Sequence, residues 1–119
     1  MIEVERTDFV SVPVHDIERG KHFYGSTLGL RANDRANPDY PEFETGNVAL
    51  ALVPVDDVVP NSGSIALRVS DVAVARGLLE GAGIEFDGDT IDTGVCHMAF
   101  FNDSDGNSLV LHRRYVPHG

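Results

Sequence analysis

An α+β domain built from two tandem copies of a β-α-β-β-β module is the fold class this sequence predicts, and three observations predict it. Ser11-Val12-Pro13-Val14-His15-Asp16-Ile17 and, 55 positions on, Ala66-Leu67-Arg68-Val69-Ser70-Asp71-Val72 are each a short strand-like run ending in an Asp placed to cap a helix. Each half closes on Gly-Asn followed by a strand, Gly46-Asn47 before Val48–Leu52 and Gly106-Asn107 before Ser108–His112. The repeat spans about half of the 119 residues, so the chain holds two units, 5–55 and 62–115, in one domain over 1–119. A unit that leaves an apolar face uncovered needs its twin, so the groove between the copies is the expected place for function.

The elements follow from local pattern. Phe9–Val14 alternates with period two, which puts Val10, Val12 and Val14 on one face and Phe9, Ser11 and Pro13 on the other. Ile17–Leu28 has helical spacing behind Asp16 and stops at Gly29. Residues 31–41 are polar and contain two prolines, hence a loop or a ragged strand. Glu42–Thr45 and Val48–Val53 read as strands hinged at Gly46-Asn47. Asp56–Gly63 links the halves. Ile65–Val69 then repeats the first strand, and Asp71 starts a helix that Gly81-Ala82-Gly83 ends. Strands are expected at Ile84–Phe86, Val95–Phe101 and Ser108–His112, followed by a basic, frayed tail from Arg113 to Gly119.

Bulk properties narrow the function. Hydrophobic content of 42% and charged content of 24% are those of a soluble globular protein. No apolar run approaches the ~20 residues a membrane span needs, and Met1–Arg6 does not read as a secretory leader. A lone cysteine, Cys96, makes no internal disulfide, which fits the cytoplasm. A formal charge of −10 argues against nucleic acid as a partner. It suits a cationic ligand, and equally a charge kept only for solubility.

Val14-His15-Asp16-Ile17, Phe23-Tyr24 and Leu28-Gly29-Leu30, with Asp103-Ser104-Asp105-Gly106-Asn107-Ser108-Leu109 near the end, resemble the motifs of the vicinal oxygen chelate superfamily. This is the glyoxalase, bleomycin-resistance and dioxygenase group, and Asp92–Phe101 is similar to a bacterial subgroup of it. The resemblance implies two curved half-barrel sheets around a cavity with the helices outside, and a homodimer. In the group's enzymes it also implies a divalent metal held by His or Glu on the first and last strands of each module. Carried over one position at a time, those ligands fall on Phe9, Ala51, Ser64 and Val110. Three of the four have no lone pair to offer and a lone hydroxyl is a poor ligand, so no metal and no other cofactor is expected at the inherited site.

Alternation then names the groove-facing side chains: Phe9, Ser11, Glu42, Glu44, Ala49, Ala51, Val53, Ser64, Ala66, Arg68, Cys96, Met98, Phe100, Ser108, Val110 and His112. A mostly apolar lining with few polar groups is the make-up of a small-molecule site. The ligand-binding candidates are Phe9, Ser11, Glu42, Ala51, Ser64, Arg68, Cys96, Met98, Phe100 and Val110. His112 and Glu44 are the candidate general acid/base residues; the alternative readings are a rim histidine and an exposed strand carboxylate. Arg68 is either a clamp for a carboxylate or a salt-bridge partner. Cys96 and His97 point to opposite faces and form no catalytic pair. The Asp103–Asn107 run fails the register of a calcium loop and reads as a turn. Three functions stay open: a metal-free binding protein, a metal-independent lyase or isomerase, and a lyase or dioxygenase with a relocated metal.

Overall fold

A computed structural model describes residues 3–58 and 64–116; His118, the end of the linker and the last residues of the expected tail lie outside them. The chain divides into two units, 1–59 and 60–119. The first runs β1 (Phe9–Val14), α1 (Ile17–Lys21), β2 (Arg31–Ala32), β3 (Glu42–Glu44) and β4 (Ala49–Pro54). The second runs β5 (Ser64–Arg68), α2 (Val72–Gly81), β6 (Phe86–Asp92), β7 (Cys96–Asn102) and β8 (Ser108–Arg114). Both sheets are mixed and four-stranded, in the equivalent orders β1-β4-β3-β2 and β5-β8-β7-β6. In each, the first strand pairs in parallel with the last and the remaining pairs are antiparallel. This is the predicted α+β duplication.

In the first unit Val12 and Val14 are buried, as alternation requires, together with Phe43, Leu50 and Leu52. Asp16 caps α1 by accepting the Glu18 and Arg19 amides through Oδ1. The expected helix to Leu28 changes character at His22 and runs on to Thr27 with π-helical spacing, so the Leu28 amide donates to the Phe23 carbonyl five residues back. Two adjacent aromatics, Phe23 and Tyr24, are buried in this wider turn, with ring centroids 5.3 Å apart. Glycine lets the helix come this close: a Cβ on Gly20 would lie 3.1 Å from Leu52 Cδ1 and 3.2 Å from Val14 Cγ1.

In the second unit Asp71 caps α2 through the Val74 amide, and Val72 and Leu79 pack with Ala99, Phe101, Leu109 and Leu111 in the core. The Arg76 guanidinium lies 4.7 Å from the centroid of the Phe86 ring and donates to the Gly88 carbonyl at 2.9 Å, fastening α2 to β6. Two expectations change here. The strand at 84–86 starts only at Phe86 and continues to Asp92, because Asp87-Gly88-Asp89-Thr90 forms an edge with a register break and Gly88 at φ 71°. The tail is shorter than expected, since Arg113 and Arg114 belong to β8 and the Tyr115 amide donates to the Val95 carbonyl.

The Asp103–Asn107 run is a turn, as its composition indicates. Buried Asp103 accepts from the amides of Asp105 and Asn107 at 2.8 Å each and from Asn107 Nδ2 at 2.8 Å. Among the described residues no helix is long and apolar enough to cross a membrane.

Candidate functional site

Strand pairing sorts the candidate residues into rows across each sheet. In the first unit one row is Phe9, Ala49, Glu44 and Arg31, and the next is Ser11, Ala51 and Glu42. All of these sit on the face opposite the helix, because Val10, Val12, Phe43, Leu50 and Leu52 take the other. Phe9, Glu42, Glu44 and Ala49 line a common open cleft of about 350 Å³. Ala49 and Ala51 are buried, while Phe9 is 54% exposed. Neither Glu42 nor Glu44 has an ion-pair partner among the described residues. The cleft's arginine, Arg6, is paired with Asp8 at 2.8 Å. Asn33 and Asn47 also line it, and sequence reasoning missed both, because each lies in a loop where period two gives no facing.

In the second unit the rows are Ser64, Ser108 and Asn102; then Ala66, Val110, Phe100 and Asp87; then Arg68, His112, Met98 and Ile91. His112 therefore stands between Arg68 and Met98. Among the described residues Arg68 has no salt bridge. Cys96 is buried opposite Arg114, with its Sγ 3.2 Å from Thr93 Oγ1. The thiol is thus part of the β6–β7 turn, beside the amide that Thr93 Oγ1 accepts at 3.0 Å. Its place on the ligand-facing strand face rests on alternation alone.

The positions onto which the resemblance carries the superfamily's metal ligands have equivalent strand pairings in the two units. Phe9 pairs with Ala49, two residues before Ala51; Ser64 pairs with Ser108, two residues before Val110. The two units thus present the same pair of places, one on the first strand and one diagonal to it on the last. A divalent metal does not fit the side chains there. Phe9, Ala51 and Val110 have no donor atom, and the Ser64 hydroxyl is engaged with that of Ser108 at 2.6 Å. Among the described residues no group of three or more His, Cys, Asp or Glu side chains is arranged to hold a metal ion.

A second group of polar side chains occupies the helix side of the second sheet. Tyr115 donates to Asp92 Oδ1 at 2.6 Å, and His97 Nε2 lies 3.4 Å from Asp92 Oδ2. The His97 and Tyr115 ring centroids are 4.8 Å apart. The Tyr115 bond, then the Gly94 amide and the nearby imidazole, lower the Asp92 pKa below its ordinary value; the same bond with Asp92 raises that of Tyr115. Alternation put His97 on this side, but nothing in the sequence joined it to Asp92 and Tyr115.

The sequence profile of the Glyoxalase/Bleomycin resistance protein/Dioxygenase superfamily matches residues 6–111, and the chain belongs to this superfamily. Among solved structures it is similar to TnmS3, an antibiotic binding protein from Streptomyces sp. CB03234, with 25% identity, a TM-score of 0.76, and coverage of 96% of this chain and 99% of that one. A glyoxalase/bleomycin resistance protein from the same Streptomyces is 29% identical at a TM-score of 0.72, over 90% of this chain and 99% of that one. A glyoxalase family protein from Bacillus anthracis shares the fold at a TM-score of 0.82 with 19% identity, over 96% and 98% of the two chains. Comparison with curated protein sequences gives no match.

Proposed function

We infer that this chain binds a small organic ligand on the strand faces opposite its helices, without a metal to anchor it. The observation that carries the reading is the cleft of the first unit, where an exposed Phe9 ring and two carboxylates without ion-pair partners among the described residues stand over a floor of small alanine. The lining is more polar than alternation led one to expect, because Thr7, Asp8, Asn33 and Asn47 join the two glutamates around Phe9, Val48 and Ala49, so the cleft suits a polar ligand that also carries a ring. Support comes from the loss of every donor but one hydroxyl at the family's metal positions, and from the similarity to an antibiotic binding protein. In the second unit the corresponding strand face carries Arg68, Met98 and Phe100, one cation beside apolar side chains. In this reading the chain acts in the cytoplasm as a homodimer, which sedimentation of the purified protein checks.

A thermal-shift screen of antibiotics and small metabolites tests the binding reading. A true ligand raises the melting temperature with concentration, by an amount equivalent to about 2.7 kcal/mol at a hundred times its Kd. Phe9→Ala is expected to weaken that response at least tenfold. A panel in which every response is the same in Phe9→Ala and in the parent sinks the reading.

One observation favours a second reading, a metal-independent lyase or isomerase. The His112 ring has no hydrogen-bond partner among the described residues and lies between Arg68 and Met98, leaving its nitrogens available for proton transfer. Glu44 is the other candidate base. Turnover that survives chelation and collapses in His112→Ala would establish it. Turnover that instead requires an added divalent ion would move the chemistry to a relocated metal.

A further inference from the structure

We propose that the helix side of the second sheet carries a separate binding site for small aromatic carboxylates, with Arg113 as the anchor. The inference is independent of the ligand site proposed above, since it uses the opposite face of β7 and β8. A cleft of about 580 Å³ opens there, lined by Thr90, His97, Arg113, Arg114 and Tyr115 and by residues 70–73, Asp71 among them. That volume is within the range of sites that take drug-sized molecules.

Three features define what fits. The first is a fixed aromatic wall. Asp92 holds Tyr115 by a 2.6 Å bond and faces His97 at 3.4 Å, so one carboxylate orients two neighbouring rings tilted 37° to each other. A planar ligand ring gains contact against such a wall with little ordering of protein side chains. The second is a cation left over. Arg113 pairs directly across the ladder with His97, is half-buried, and forms no ion pair among the described residues, in a chain with 19 acidic side chains. A guanidinium presents a planar fork of donors that matches a carboxylate with two parallel bonds. The third is that the nearby acids are already engaged. Asp71 accepts the Val74 amide as the cap of α2, and Asp92 accepts from Tyr115 and the Gly94 amide. A flat ring bearing one carboxylate satisfies the wall and the fork together; a cation could meet the wall but is repelled by the guanidinium.

The test uses the whole chain, benzoate as probe, and benzamide as the isosteric neutral control, at matched ionic strength. Amide resonances of Thr90, His97, Arg113 and Tyr115 are followed by NMR during titration. The expected result is saturable shifts at these residues with benzoate, at least tenfold weaker binding of benzamide, and at least a tenfold rise in Kd in Arg113→Gln with the spectrum otherwise retained. Arg113→Lys should recover part of the affinity. Shifts that never saturate, benzamide binding as well as benzoate, or an Arg113→Gln protein with unchanged affinity would each overturn the site. Because benzamide needs no variant, the charge requirement is tested even where a substitution unfolds the protein.

Discussion

Asp103 shows how a single carboxylate at a motif position serves the fold. Its two oxygens accept three hydrogen bonds inside the turn before β8, and the residue is only 7% exposed. Removing it leaves buried donors without an acceptor, which costs more than the bonds themselves contribute. Asp103→Ala is expected to lose about 2–3 kcal/mol of stability in a urea titration. The Asp92–Tyr115 bond makes a different claim. Asp92 has a lowered pKa in the fold, so the stability it contributes is present above the ordinary value of 3.8 and is lost as pH falls through its lower folded value. Tyr115 has a raised pKa, so its contribution is present below 10.0 and is lost as pH rises through the folded value. Asp92→Asn should therefore bring the Tyr115 phenol back toward 10.0, read from tyrosinate absorbance and assigned with Tyr115→Phe. The turn was legible in the sequence because Asp, Gly and Asn announce local bonds. The Asp92–His97–Tyr115 cluster was not, because β6, β7 and the residue just past β8 had to meet first.

At the level of elements, legibility followed how one-sided each element is. β1 alternates against a core and was readable from period two, whereas β4 and β8, buried through consecutive residues, were readable as apolar runs behind Gly-Asn. β6 is exposed along nearly its whole length and carries Asp87, Gly88 and Asp89, so it shows no alternation to detect. The helix after Asp16 was visible, while its π-helical end was not, since that change depends on packing two neighbouring aromatics at once. The same helix gives an element-scale prediction. Gly20 lies against Leu52 and Val14, where an added Cβ already meets carbon at 3.1 Å and 3.2 Å. Gly20→Val forces β-branched bulk into that contact and is expected to destabilise by about 1–3 kcal/mol, measured by thermal or urea unfolding. Gly77, beside which nothing lies within 4 Å, is the control position in α2. Gly77→Ala should be neutral or stabilising there, by up to about 1 kcal/mol.

For the molecule as a whole, the duplication read from two seven-residue echoes corresponds to two sheets with equivalent strand order and equivalent diagonal places. At the places onto which the resemblance carries the metal ligands, the residues offer one hydroxyl between them, and it is engaged with Ser108. Chelation with EDTA is accordingly expected to leave the melting temperature unchanged, and elemental analysis of purified protein should find less than one bound divalent ion per ten chains. The candidate site was only half legible. Facing was available for strand residues such as Phe9, Glu44 and His112, whereas the loop side chains Asn33 and Asn47 had no period to place them. The bent edge of β6 carries one more consequence. A border strand with Gly88 out of register and acids at Asp87, Asp89 and Asp92 makes a poor template for an incoming foreign strand. Crowding and heat that expose sticky borders in other sheets should find this one self-guarded, and a variant that straightens and neutralises it would trade colloidal solubility for filament-like growth.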